Sequence, residues 1–482
     1  MSRVLDTPRT EPCVEPLTGL TPWEVCQRLA DRQHLLFLDS AQRSALGRYS
    51  YVSADPACWL TSQRGWISEN GAFIGVADPL TVLADRLADF ALESRAGLPP
   101  FQGGASGLFS YELCHHIEVL PRPTHGSAGP DLAVGIYDWV VAFDHATEQA
   151  WLISTGYPEA DPRRRRQRAR QRAEQVQRWL ERGPVDQVAN LPESPRAAPT
   201  APPQFPVDGL PGLMSNFNRA SYLATIERAI EYIRAGDCFQ VNIAQRLMTP
   251  APRDPLVLYE KLRTRNPAPF AAYFDLGDYV IASASPERFL RAQAGDVETR
   301  PIKGTRPRGQ TPAEDRRLVQ ELLDSAKDRA ENVMIVDLLR NDLGRVCEYG
   351  SVRVEALCRL ESHPFVHHLV SEVRGRLRAG MGPTDLLRAA FPGGSVTGAP
   401  KIRAMEIISE LERTARGPYC GSIGWLGFNG DMDTNLLIRT FVHDPSWLSF
   451  SVGGGIVADS TPESEYAETW HKAEGLLRAL RD

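Results

Sequence analysis

Short apolar runs dominate the first third of the chain. LLFLDSA (35–41), YSYVS (49–53), GLFSYEL (107–113), LAVGIYDWVVAFD (132–144) and QAWLIST (149–155) are rich in β-branched and aromatic residues and end at turn residues, so each is predicted to be a strand. Periodicity then changes. In SYLATIERAIEYIRAG (221–236), Tyr222, Ile226, Ala229, Ile230 and Ile233 recur at helical spacing and the pattern stops at Gly236. FQVNIAQRLMT (239–249), APFAAYFDL (268–276) and YVIASAS (279–285) read as strands. Helices are predicted over about 313–343 and 400–413, strands over GSIGWLGF (421–428), TNLLIRTFVH (434–443) and SFSVGGGIVA (449–458), and a closing helix from about 462. No repeat is present, and strands and helices alternate irregularly. That pattern predicts a mixed α+β fold on antiparallel sheets, not a dinucleotide-binding fold, since no GxGxxG follows a strand.

One compositional break divides the chain. PRRRRQRARQRAEQVQRWLER (162–182) is an Arg-loaded helix, followed by a stretch rich in Pro, Ala and small polar residues. The expected division is an N-terminal region 1–182, a linker or poorly ordered loop 183–213, and a catalytic region 214–482. The whole chain has 482 residues, 42% hydrophobic and 24% charged, with a net charge of -6. This fits a large soluble protein and lacks the polycationic signature of nucleic-acid binding; the Arg run reads as a solvated helix face. The eight cysteines form no CxxC pair, no basic leader precedes an apolar run, and no 18-residue apolar stretch occurs. A cytoplasmic protein is expected, with neither nucleic acid nor membrane as partner.

Two acidic pairs lie at i, i+3: Asp328 with Glu331 and Glu465 with Glu468. Helical spacing puts each pair on one face, either as solvated surface acid or as carboxylates for Mg2+, a hard cation held by one or two carboxylates with water and substrate oxygens. FPGGSVTGAPKIRAMEIISELER (391–413) is a loop feeding a helix, with Pro400 suited to the first turn and small residues that leave N–H groups open to an anion. In PIKGTRPRG (301–309), Lys303 is a turn lysine or, if buried beside charges, a nucleophile. His363, His367 and His368 lack the spacing of a metal motif, with Pro364 interrupting them.

In this order the motifs resemble the chorismate-utilising enzymes, which include anthranilate, aminodeoxychorismate, isochorismate and salicylate synthases. The matching strings are FQVNIAQ (239–245), ASPERF (284–289), PIKGTRPRG (301–309), KDRAENVMIVDLLRNDLGRV (327–346), HHLVSEV (367–373), FPGGSVTGAPKIRAMEII (391–408), YCGSIGW (419–425), MDTNLLIRT (432–440) and GGGIVADSTPESEYAET (453–469). LDSA (38–41), RYSY (48–51) and GGASGLFSYELCHHIE (103–118) match more loosely. The resemblance implies two large antiparallel β-sheets packed together with surrounding helices. It implies Glu331 and Glu468 as Mg2+ ligands, with Asp328 and Glu465 beside them. Gly304, Thr305, Tyr419, Arg439 and Gly453, Gly454 and Gly455 are implied as substrate-carboxylate contacts, with His368 and Ser395 lining the pocket.

Two positions sort this family by chemistry. Isochorismate and salicylate enzymes carry a lysine where this chain has Gln240, which cannot act as a base toward water. Lys303 stands where anthranilate synthases resemble the motif with alanine, and where aminodeoxychorismate synthases have lysine. The resemblance therefore implies chorismate as substrate, Lys303 as nucleophile and Glu287 as general acid and base. It also implies ammonia from a separate glutaminase subunit, because no cysteine here sits in a Gly-x-Cys-x-Gly elbow, and no pyruvate-lyase segment is expected after residue 482. Anthranilate synthesis and a non-catalytic tryptophan-binding relative are the rivals. Ser40, Arg48, Tyr49, Ser50 and Pro269 resemble the family's tryptophan pocket, which implies either tryptophan binding or a structural relic.

Overall fold

The structure, a computed structural model, describes residues 11–90, 92–126, 129–183, 202–363 and 366–481. Two antiparallel sheets organise them, of 13 and 12 strands. In each, strands from before and after the Arg-rich helix lie side by side. Leu36–Asp39 pairs with Phe270–Asp275 in the larger sheet, and Gly104–Phe109 pairs with Ser422–Gly427 in the smaller. Facing apolar positions of the two sheets form a common core. Leu36, Ala272, Phe274 and Ile281 from one meet Leu108, Ala133, Tyr137 and Ile423 from the other. Burial of these residues, each nearly inaccessible, is the main force holding the sheets together.

Helices cover the outer faces. Pro22–Arg28, Pro162–Glu181, Pro255–Arg265 and Pro462–Leu480 pack on one part of the larger sheet, and Arg219–Arg234 with Lys401–Glu412 on another. The Arg-rich helix buries Ala169, Ala173, Val176 and Leu180 along one stripe and turns most of its arginines outward. Among the described residues no helix is long and apolar enough to cross a membrane. Most of the 183–213 stretch, 184–201, lies outside the described residues; beyond it Phe205–Pro206 pairs with Met214–Ser215 at the sheet edge.

Three sequence expectations change in ways that matter for the site. The helix expected over 313–343 is two helices, Pro312–Asp324 and Ala326–Gly344, because Ser325 is extended and its hydroxyl accepts the N–H of Asp328. TNLLIRTFVH is not one strand. Met432–Asn435 belongs to the smaller sheet and Thr440–His443 to the larger, and the apolar residues between them cross the core, ending at Arg439 with φ 53°. The turn expected around Lys303 is a strand, Ile302–Pro307.

Candidate active site

The Ile302–Pro307 strand pairs with Val366–Arg376 in broken register, Ile302 opposite Val370 but Thr305 opposite His368. One extra residue is thus accommodated, and Gly304 takes φ +82° there. A bulge with glycine in the left-handed region re-aims the flanking side chains. A Cβ at Gly304 would also lie 3.0 Å from Cβ of Asp328.

Lys303, 11% exposed at its side chain, places Nζ 2.6 Å from Oε1 of Glu331 on the Ala326–Gly344 helix. Gln240 donates Nε2 to the same oxygen at 2.7 Å. Burial opposes the Glu331 charge, but the Lys303 ammonium and these hydrogen bonds hold its carboxyl below the usual range. Gly455 makes the approach possible, since a Cβ there would meet Gln240 Nε2 at 2.0 Å and Glu331 Oε1 at 3.0 Å. Gly454 does the same toward the last helix, where its Cβ would lie 3.1 Å from Glu468 and 3.3 Å from Glu465. Gly453 instead clears the neighbouring strand, where a Cβ would lie 2.4 Å from the Ile243 carbonyl oxygen.

The remaining carboxylates differ in state. Burial raises the Glu465 carboxyl, against one bond from Ser460 at 2.6 Å, and its Oε2 is buried without a partner. For Glu468, burial opposes the charge, but Lys472 at 2.7 Å, through its charge and hydrogen bond, together with Lys327 lowers the carboxyl. Asp328 is ion-paired with Arg306 at 3.2 Å. Among the described residues no three His, Cys, Asp or Glu side chains converge as a metal cage.

Glu287 is buried and accepts a bond from Ser395 Oγ at 2.8 Å. Burial pushes its carboxyl up to about 7, against the Ser395 bond and the charges of Lys303 and Arg439. A carboxyl poised there can both give and take a proton near neutral pH. His368 shares a 2.8 Å hydrogen bond with Thr305, and burial, with Arg439 close by, pulls it down to about 3, leaving a neutral imidazole. Arg439 lies near Glu287, and burial lowers it as well. His368 and Arg439 line a cavity of about 170 Å³; Lys303, Glu287, Glu331 and Ser395 lie outside that lining. Tyr419 is buried with Arg416 over its ring at 5.7 Å.

A larger cavity of about 520 Å³ is lined by Ser40, Arg48, Tyr49 and Pro269, among others. Ser50 is not part of its lining: its hydroxyl contacts His145 Nε2 at 2.8 Å and accepts from Ser40 N–H. The Arg48 charge is already committed to Asp144, at 2.7 Å.

Sequence reasoning missed Lys472, which bonds Glu468 and the Gly453 carbonyl, although its i+4 spacing from Glu468 was a usable signal. It also missed Arg416 and Glu412, an i, i+4 ion pair whose remaining contacts are set by tertiary structure.

A lysine, a carboxylic acid raised to about 7, an uncharged imidazole and a buried arginine around one bulged strand are groups that could receive a small anionic substrate. The chain belongs to the chorismate-binding enzymes: the family model described as chorismate binding enzyme matches residues 42–478. Anthranilate synthase component 1 of Thermus thermophilus is 42% identical over 465 residues, 95% of each chain. Aminodeoxychorismate synthase component 1 of Salmonella typhimurium is 42% identical over 440 residues, 90% of each. A crystal structure of anthranilate synthase component I from Streptococcus pneumoniae superposes with a TM-score of 0.75 at 32% identity, covering 90% of this chain and 93% of that one. The chain is therefore an enzyme of the class that acts on chorismate.

Proposed function

We propose that this enzyme converts chorismate and ammonia to 4-amino-4-deoxychorismate, as an aminodeoxychorismate synthase component 1 in 4-aminobenzoate and folate synthesis. The observation that carries the reading is Lys303, a largely enclosed amine on the bulged strand whose charge is felt by Glu287. In the proposed reaction the neutral Lys303 amine forms a bond to ring carbon C2. The ring π electrons shift, the C4–O bond breaks, and the hydroxyl takes the Glu287 proton and departs as water. Ammonia then bonds to C4, the π electrons return, the C2–N bond breaks, and Glu287 recovers a proton from the new amine. Chorismate and ammonia are consumed; the aminated product and water result.

Mg2+ fits the residues present. Glu331 and Glu468 would hold it, with Asp328 and Glu465 beside them. The buried, unpartnered Glu465 Oε2 and the close approach of Glu331, Glu465 and Glu468 to Gly454 and Gly455 support that fit, and so small a protein donor set is ordinary for this ion. Its chemistry would be to anchor a substrate carboxylate and screen charge.

Ammonia would come from a partner glutaminase subunit; the Salmonella typhimurium relative is named as a component 1. A second reading, anthranilate synthesis, has a specific support, since the Thermus thermophilus relative is equally identical at 42%. The test is product identification after incubating the pure chain with chorismate and Mg2+, with either ammonium or glutamine. Aminodeoxychorismate from ammonium and nothing from glutamine is expected. Anthranilate would establish the second reading, and glutamine-dependent turnover would overturn the separate glutaminase.

A further inference from the structure

Arg416 is 4% exposed, yet it lies on an irregular segment just beyond the Lys401–Glu412 helix. Each nitrogen of its guanidinium is engaged. Nε and Nη2 grip the two Glu412 oxygens at 3.0 and 2.6 Å, Nη1 donates to the Val396 carbonyl at 2.9 Å, and Nη2 donates to the Asn242 carbonyl at 2.8 Å. It also lies over the rings of Tyr111 and Tyr419, at 4.8 and 5.7 Å. Three of these partners belong to the site or lie within two residues of it. Val396 follows Ser395, which bonds Glu287; Asn242 is two residues from Gln240 on the same strand; Tyr419 is three residues on. Glu412 is itself fixed, accepting the Ala244 N–H at 2.9 Å. The segment is held from the other side as well, through Gly417 N–H to Glu112 at 2.9 Å.

We infer that Arg416 is a positioning residue for the reaction, tying the Ser395 turn to the Gln240–Pro250 strand so that the Ser395 hydroxyl stays on Glu287. The inference rests on the proposed role of Glu287. Geometry favours it over a purely structural ion pair. A salt bridge needs only Glu412, whereas two of the four hydrogen bonds go to backbone carbonyls, one in the turn and one in the strand, bracing the junction that the Asn242 N–H also makes with the Thr397 carbonyl at 2.8 Å. A planar fork with five donors can span them; a lysine ammonium on its single arm cannot.

The test compares wild type, Arg416→Lys, Ser395→Ala and the double variant. Ionisation of Glu287 is followed directly, by infrared titration of its carboxylic acid band, assigned through the Glu287→Gln difference spectrum. Lys303, Arg439 and Cys420 are the other titratable or charged groups felt there, and they are the same in every variant. Ser395→Ala removes a bond to the charged form and raises the midpoint. Arg416→Lys is expected to raise it too, by about half a unit or more, with no additional rise in the double variant. Turnover in Arg416→Lys is expected to fall on the order of 10- to 100-fold. A midpoint unchanged from wild type, or additive shifts in the double variant, overturns the inference. Should Arg416→Lys not fold, Glu412→Gln loosens the same guanidinium while keeping the packing, and the same two outcomes decide. The spectroscopic readout needs no turnover, so failure of the proposed reaction and failure of the positioning role are separable.

Discussion

Lys303 and Gln240 donate to the same oxygen of Glu331, at 2.6 and 2.7 Å. One carboxylate oxygen therefore holds the proposed nucleophile, which leaves Oε2 for a cation. As long as the amine is an ammonium in this pair it has no free electron pair, so attack requires the proton to leave.

Lys303→Arg keeps a cation beside Glu331 but cannot attack. Formation of aminodeoxychorismate is expected to fall on the order of 100-fold or more in both Lys303→Arg and Lys303→Ala. Wild type given chorismate and Mg2+ without amine is expected to carry a ring adduct on Lys303, seen by peptide mass spectrometry. Substantial activity in Lys303→Arg with no adduct on wild type would reduce the lysine to an electrostatic contact.

Glu331→Ala and Glu468→Ala are each expected to abolish Mg2+-dependent turnover while the circular dichroism spectrum stays native. Water cannot replace the charge and geometry of one of so few ligands. Undiminished activity in either variant at limiting Mg2+ would refute that assignment.

The Glu287 carboxyl is raised to about 7 by burial, so the fold favours its protonated form. Its stabilising contribution is complete below the ordinary value of 4.5 and is lost as pH climbs through about 7. Glu287→Gln cannot ionise, and its stability relative to wild type is expected to rise between pH 4.5 and 7 and then level off, by up to a few kcal/mol. Urea midpoints at several pH values measure this. A relative gain on acidification would reverse the assignment.

The 520 Å³ cavity bounded by Ser40, Arg48, Tyr49 and Pro269 is expected to bind tryptophan. At 100 times its Kd the ligand would add about 2.7 kcal/mol of stability. Calorimetry and thermal shift without heat or stabilisation would leave the cavity as a structural remnant.

The parts of this site that were legible in the sequence are those with local causes. Asp328 with Glu331 and Glu465 with Glu468 are each fixed by helical spacing within a few residues, and consecutive glycines at 454 and 455 signal close approach whatever the partner. The break at Ser325 was not legible because no glycine or proline marks it, and a single hydroxyl cap does the work of ending one helix and starting the next. The crossing at 436–439 was missed because the short apolar stretch Leu436–Ile438 looks the same inside one strand as between two sheets. Arg416 was beyond reach for a third reason: its backbone partners lie 20 and 174 residues away, and the helix ends at Glu412 before the usual i, i+4 geometry applies.

Joining each sheet from early and late strands fixes a timetable for the nascent chain. Ser106 finds the Gly424 carbonyl, 318 residues downstream, which at ~5–20 residues per second is roughly a quarter of a minute to a minute after its own synthesis. Until then Gly104–Phe109 has only Leu132–Tyr137 beside it, and Leu36–Asp39 likewise waits for Phe270–Asp275. A ribosome paused before residue 270 thus carries two open β edges, each a template on which a neighbouring nascent chain can pair, so the step most exposed to aggregation is translation itself.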